Sequence, residues 1–190
     1  PTPTPSLPKI TYTAPVDGIN DIWMMAEDGS SRVNLSKHSD FESASSIDPS
    51  GSWILFTSQR DGNREIYLMN DDGSGQRRLT MNEVADDNAS WSPDGNEFVF
   101  QSYNDIYVGD IGSSSLRRLT KDPNIIDRSP SWSPDGRQIV FTSDRNGIFN
   151  IYVMDSDGSN QTNISNSADR HIQPEWSPGG NKIAHTVKNG

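Results

Sequence analysis

Three short phrases return in step along the chain, and no other feature restricts the fold as tightly. The first reads Ile47-Asp48-Pro49-Ser50-Gly51, Trp91-Ser92-Pro93-Asp94-Gly95, Trp132-Ser133-Pro134-Asp135-Gly136 and Trp176-Ser177-Pro178-Gly179-Gly180; its final glycines stand 44, 41 and 44 residues apart. The second reads Asp21-Ile22-Trp23-Met24, Glu65-Ile66-Tyr67-Leu68, Asp105-Ile106-Tyr107-Val108 and Asn150-Ile151-Tyr152-Val153, with its isoleucines 44, 40 and 45 apart. The third closes each unit as Val33-Asn34-Leu35-Ser36, Arg78-Leu79-Thr80, Arg118-Leu119-Thr120 and Asn163-Ile164-Ser165. A repeat of this length is one supersecondary unit that buries its apolar faces by stacking on its neighbours. Leu, Ile, Val and Phe supply only 37 of 190 residues, a share at which disorder competes. Three phrases kept in register over four copies decide for a folded repeat.

Each unit reads as four short strands. Ser-Trp-Ser is a strand stopped by Pro-Asp-Gly, where proline fixes φ and glycine accepts φ > 0. An alternating β-branched and aromatic run follows, clearest in Gln138-Ile139-Val140-Phe141-Thr142-Ser143. After a polar loop such as Asp144-Arg145-Asn146-Gly147 come the Ile-Tyr-Val-Met strand, an Asp-Gly-Ser hairpin turn and the closing phrase. No stretch keeps a helical period.

Four strands in about 43 residues is the size of a propeller blade, so the sequence predicts an all-β β-propeller of four-stranded antiparallel blades, with about four repeats and a surplus strand. On these same phrases the chain resembles the TolB-type, WD-like β-propeller repeat; the best copy runs from Ser131 to Ser165, and the likeness covers about residues 9 to 188. The resemblance is specific for fold and weak for function, because one fold hosts many activities. Three departures stand out. Ile47 replaces the first Trp, Gly179 replaces the usual Asp, and Ser102-Tyr103-Asn104-Asp105 shortens the loop that runs from Ser143 to Asn150 in the next unit.

The expected boundaries are a Pro/Thr-rich linker at 1–8, a partial blade at 9–37, blades at 38–81, 82–121 and 122–166, and a partial blade at 167–190. With the strands of a blade lettered A to D from the channel outward, the order is B-C-D, three whole blades, then A-B. That is seventeen strands, one more than four blades need. Three readings follow: a segment of a larger propeller, an irregular small ring, or a surplus strand that pairs with a second molecule. Without an initiator Met, the chain reads as a mature form or an excised segment.

The charge balance, 16 Lys+Arg against 26 Asp+Glu for a net −10, opposes nucleic-acid and anionic-membrane binding and favours a basic or neutral protein partner. No apolar run is long enough to insert in a membrane. With no Cys, disulfides and thiolate chemistry are excluded. Counting five residues back from each Trp position reaches Glu42, Asp86, Asp127 and His171; Asp87 and Arg128 follow two of them. These six are the expected partner-binding residues at the channel mouth. Glu42, Asp86 and Asp127 are the candidate ligands for a Ca²⁺ ion, since converging carboxylates suit a hard cation. A solvated acidic rim is the competing reading.

Asn70-Asp71-Asp72-Gly73 and Asp155-Ser156-Asp157-Gly158 resemble the start of a calcium loop but lack its Glu, and their phase in the repeat makes them hairpin turns. No nucleophile elbow, zinc-protease motif or phosphate-binding loop occurs, and the histidines are only His38, His171 and His185. The expected protein is therefore not an enzyme and needs no cofactor. The TolB-type resemblance implies an extracellular or periplasmic module for protein binding. The alternative is a surface protein that assembles by strand exchange; a propeller lyase or peptidase-associated domain is the remaining one.

Overall fold

Short runs of β-branched and aromatic residues, apolar on both faces in the middle strands, fold the described residues into seventeen strands. The protein is described here from a computed structural model covering residues 8–113 and 115–188, and its strands lie in five antiparallel sheets. The first sheet holds β1 (Lys9–Val16), β2 (Ile19–Ala26) and β3 (Val33–Asn34). The second holds β4 (Glu42–Ile47), β5 (Trp53–Ser58), β6 (Glu65–Asn70) and β7 (Arg77–Arg78). The third holds β8 (Asp86–Trp91), β9 (Glu97–Ser102), β10 (Asp105–Asp110) and β11 (Leu116–Arg118). The fourth holds β12 (Asp127–Trp132), β13 (Gln138–Ser143), β14 (Asn150–Asp155) and β15 (Thr162–Asn163), and the fifth holds β16 (Arg170–Trp176) and β17 (Ile183–Lys188). All but Pro8 of the expected linker lies outside the described residues.

The core is not one centre but a series of seams between sheets. Ile22 and Leu35 of the first sheet meet Ile54, Phe56, Tyr67 and Met69 of the second. Leu55, Ile66 and Leu68, from the opposite face of the second sheet, meet Trp91, Phe98 and Phe100. Val99, Ile106 and Val108 meet Trp132, Ile139, Phe141 and Tyr152; Val140 and Ile151 then receive Trp176 and Ile183. Strand alternation explains the division, since Ile54 and Phe56 point one way and Leu55 the other.

The third sheet repacks one layer without losing volume. Across the two middle strands Ile54 pairs with Met69 and Ile139 with Met154, but Phe98 pairs with Gly109. A Cβ on Gly109 would stand 2.4 Å from the Phe98 ring, so a larger side chain on one strand requires the bare backbone on the other.

The turns repeat as faithfully as the seams. In Ser92-Pro93-Asp94-Gly95 the Ser92 hydroxyl donates to Asp94 at 2.6 Å and accepts the Glu97 N–H at 2.9 Å, while Gly95 sits at φ 71°. Ser133, Asp135, Gln138 and Gly136 repeat this arrangement. The first and last sheets keep three and two strands, and β1 and β17 belong to different sheets.

Trp132, only 7% exposed, fills the seam between the third and fourth sheets. Trp132→Ala should cost roughly 3–5 kcal/mol, read as a lower urea midpoint at unchanged slope. A wild-type midpoint would contradict the seam assignment.

Candidate functional site

The innermost strand of each of the last four sheets carries the same irregularity. Register slips by one residue between Ser43 and Ser46, Asp87 and Ser90, Arg128 and Ser131, and Ile172 and Glu175. The inserted residues Ala44, Asn88, Ser129 and Gln173 all have φ between 49° and 55°. Three of these four are neither Gly nor Asn, so the surrounding sheets hold a backbone that L-residues rarely adopt. Such a bulge bends its strand and re-aims the side chains around it. The four inserted residues line one axial channel of about 380 Å³, together with Pro130, Pro174 and Glu175.

Glu42, Asp86 and Asp127, the candidate cation ligands, each stand at the start of the first strand of a different sheet. All three lie inside the packing, and among the described residues no three His, Asp or Glu side chains stand together as a metal cluster. Two of them are paired with an arginine of their own sheet and the third with neutral donors. Arg60 reaches Glu42 at 3.0 Å, the Ser58 hydroxyl at 2.8 Å and the Gln76 carbonyl oxygen at 2.7 Å, with its guanidinium 4.8 Å from the Tyr67 ring centre. Arg145 repeats the arrangement on Asp127 at 3.1 Å, Ser143 at 2.9 Å and Gln161 at 2.6 Å, 4.5 Å from the Tyr152 centre. In the third sheet the shortened loop, Tyr103-Asn104, supplies no arginine after Ser102, and Asp86 accepts from Asn82 at 2.7 Å. Burial pushes the Asp86 carboxyl above the usual carboxylate range, with nearby Glu65 adding to it. Burial likewise raises Glu42 from 4.5 to about 7, against the attraction of Arg60.

A second set of acids is absorbed by the fold. The Ser or Thr that ends each repeat accepts the N–H of the isoleucine phrase earlier in the same repeat at 2.9–3.0 Å: Ser36 from Ile22, Thr80 from Ile66, Thr120 from Ile106 and Ser165 from Ile151. The same hydroxyls donate to Asp21, Glu65, Asp105 and Asn150, the residues that precede those isoleucines. The two phrases are thus halves of one hydrogen-bonded clasp.

The remaining expected residues divide. Asp87 and Arg128 do reach the mouth, where a cavity of about 370 Å³ opens beside Arg64, Gln101, Arg170 and Lys188 and shares Asn88, Ser129 and Gln173 with the channel. His171 stays beside it: its backbone N–H donates to Phe149, and its ring stands 4.8 Å from that of His185. Sequence reasoning missed Arg64, Arg170 and Lys188. Their signal, a cation just before β6 and two paired across β16 and β17, is visible only once the repeat is folded onto one axis.

A cavity lined by the first strands of four antiparallel sheets stacked side by side is the arrangement of β-propeller blades. The sequence matches the TolB beta propeller domain over residues 1–105 and 101–190, and the chain belongs to that family. Among solved structures, a putative TolB from Agrobacterium tumefaciens is similar at 28% identity and TM-score 0.80, over 98% of this chain and 72% of that one. TolB from Acinetobacter baumannii is similar at 24% identity and TM-score 0.83, over 93% of this chain and 46% of that one. An oligogalacturonate lyase in complex with manganese shares the fold at 17% identity and TM-score 0.63, over 86% of this chain and 50% of that one. No curated protein sequence matches the chain significantly.

The Glu42 shift gives a pH signature. Folded Glu42 keeps its proton to about pH 7, whereas 4.5 is its ordinary value. Between those values the native state binds more protons than the unfolded chain, so this residue's contribution to stability falls as pH rises. Glu42→Gln should remove that decline, so its urea stability relative to wild type should improve between pH 5 and pH 8. Parallel curves would contradict the assignment.

Proposed function

We propose that the protein is a non-catalytic propeller module that docks a partner protein at the channel mouth, in the periplasm or outside the cell. One observation carries this reading: the mouth cavity gathers charged, amide and hydroxyl side chains from four sheets, and among them Arg128, Arg170 and Lys188 form no ion pair with the described residues. Arg64, Asp87 and Gln101 come from the second and third sheets, Arg128 and Ser129 from the fourth, and Arg170, Gln173 and Lys188 from the fifth. The buried acids, by contrast, are occupied by Arg60, Arg145, Asn82 and the terminal hydroxyls. The chemistry at the mouth is that of recognition, and loops and strand ends on a rigid scaffold are where such contacts concentrate. Family membership supports a protein-interaction role in general and the envelope location.

The reading is tested by position-dependent photo-crosslinking. A benzoylphenylalanine placed at Gln101, in the mouth, should form a discrete adduct in a bacterial envelope extract. The same group at Thr162, on the outermost strand of the fourth sheet, should not. Equal adducts at both positions, or none at Gln101, would contradict docking at the mouth.

A further inference from the structure

We infer that the mouth cavity binds the carboxylates of an acidic segment in a partner protein, with Arg128 and Arg170 as the principal contacts. The inference rests on the docking role of the mouth and adds the partner's chemistry, opposite to the basic or neutral partner expected from net charge.

The first argument is local charge. The cavity is lined by Arg64, Arg128, Arg170 and Lys188 against one carboxylate, Asp87, in a protein of net −10. Asp87 is already engaged: Arg64 reaches it at 2.7 Å and the Thr57 hydroxyl at 3.0 Å. Among the described residues, the ion pairs of the chain include Arg60, Arg64, Arg78, Arg118 and Arg145, and none involves Arg128, Arg170 or Lys188. Two of these three cations are held close together rather than spread through solvent.

The second argument is geometry. Arg128 and Arg170 both stack on Phe149, with their guanidinium carbons 3.9 and 4.7 Å from the ring centre. Stacking fixes the planes of both groups, so their N–H forks are presented in advance. The Arg170 Nε is buried with no hydrogen-bond partner. Burial, then the neighbouring Arg170, lowers the affinity of Arg128 for its proton, and Asp144 offsets this in part. Asp144 itself accepts the Ile126 N–H at 2.7 Å. A pair of desolvated, mutually repelling guanidinium groups is relieved by an anion, and their planar forks match a carboxylate bidentately.

The third argument is continuity. Asn88, Ser129 and Gln173 line both the cavity and the channel, so an extended segment gripped at the mouth can continue inward along amide and hydroxyl groups. That path suits a polypeptide better than an isolated small acid. The overall negative charge disfavours nucleic acid as the source of the anion.

The experiment uses the whole chain and fluorescein-labelled hexaglutamate, read by anisotropy at about 50 mM salt, where exposed charges are less screened. Saturable binding is expected, with at least a tenfold loss in Arg128→Gln/Arg170→Gln and near-wild-type affinity in Arg117→Gln. Arg117 is exposed on β11 and does not line the cavity. Should the double variant melt early, Arg128→Gln alone should still show a loss. No binding to folded wild type, or equal affinity in all variants, overturns the inference. Stronger binding of hexalysine than of hexaglutamate overturns it in favour of the basic partner. Displacement of hexaglutamate by an equal concentration of citrate overturns it in favour of a small carboxylic acid. A Gln101 crosslink combined with failure of hexaglutamate would refute the acidic chemistry and leave docking at the mouth standing; failure of both would refute both.

Discussion

Each of the three four-stranded sheets has two apolar faces, and the burial of each against a neighbouring sheet is the constraint on which the rest depends. No sheet can bury both faces alone, so the stability of each blade is tied to the next. Because Ile54 and Phe56 serve one seam and Leu55 the other, a one-residue slip would exchange the two seams. The Phe98–Gly109 pair shows how closely a layer is filled: the seam accepts a change of residue only when the opposite strand gives up the same volume.

Radial stacking creates the electrostatic pattern. Side chains near the axis come within reach of adjacent sheets, and acids there must find partners or lose their charge. Arg60 and Arg145 neutralise Glu42 and Asp127 while stacking on Tyr67 and Tyr152, so one side chain joins the first strand of a sheet, its second strand and the loop before its fourth. The terminal hydroxyls take up a second set. Once those carboxylates are absorbed by the fold, the cations left at the mouth set the local potential, even though the whole protein is acidic.

Much of the fold was legible because the repeat phrases are themselves structural devices. Ser-Pro-Asp-Gly writes its turn in four residues, and the Ile-Tyr-Val phrase writes its strand by alternation. The site was less legible for two physical reasons. The bulge falls on Ala44, Asn88, Ser129 and Gln173, residues with no shared sequence signal, so counting back from the Trp positions could not show which side chains stay at the axis. The partners of the buried acids are distant: Arg60 and Arg145 lie 18 residues from Glu42 and Asp127, in loops that read only as polar connections. Asp87 and Arg128 sit directly before the bulge, four residues ahead of Trp91 and Trp132, and so fall within the count. Arg64, Arg170 and Lys188 were missed because their proximity exists only in three dimensions.

The central claim is that the axial bulges and the cations beside them form a recognition surface distinct from the seams that hold the blades together. An amide-resolved NMR titration of the isotope-labelled chain with hexaglutamate tests it most directly. The account predicts shifts confined to the mouth and channel amides of Asn88, Ser129, Arg170 and Gln173, with those of β7, β11 and β15 on the outer edge unmoved. Shifts centred on the outer strands, or spread evenly over the surface, would contradict it.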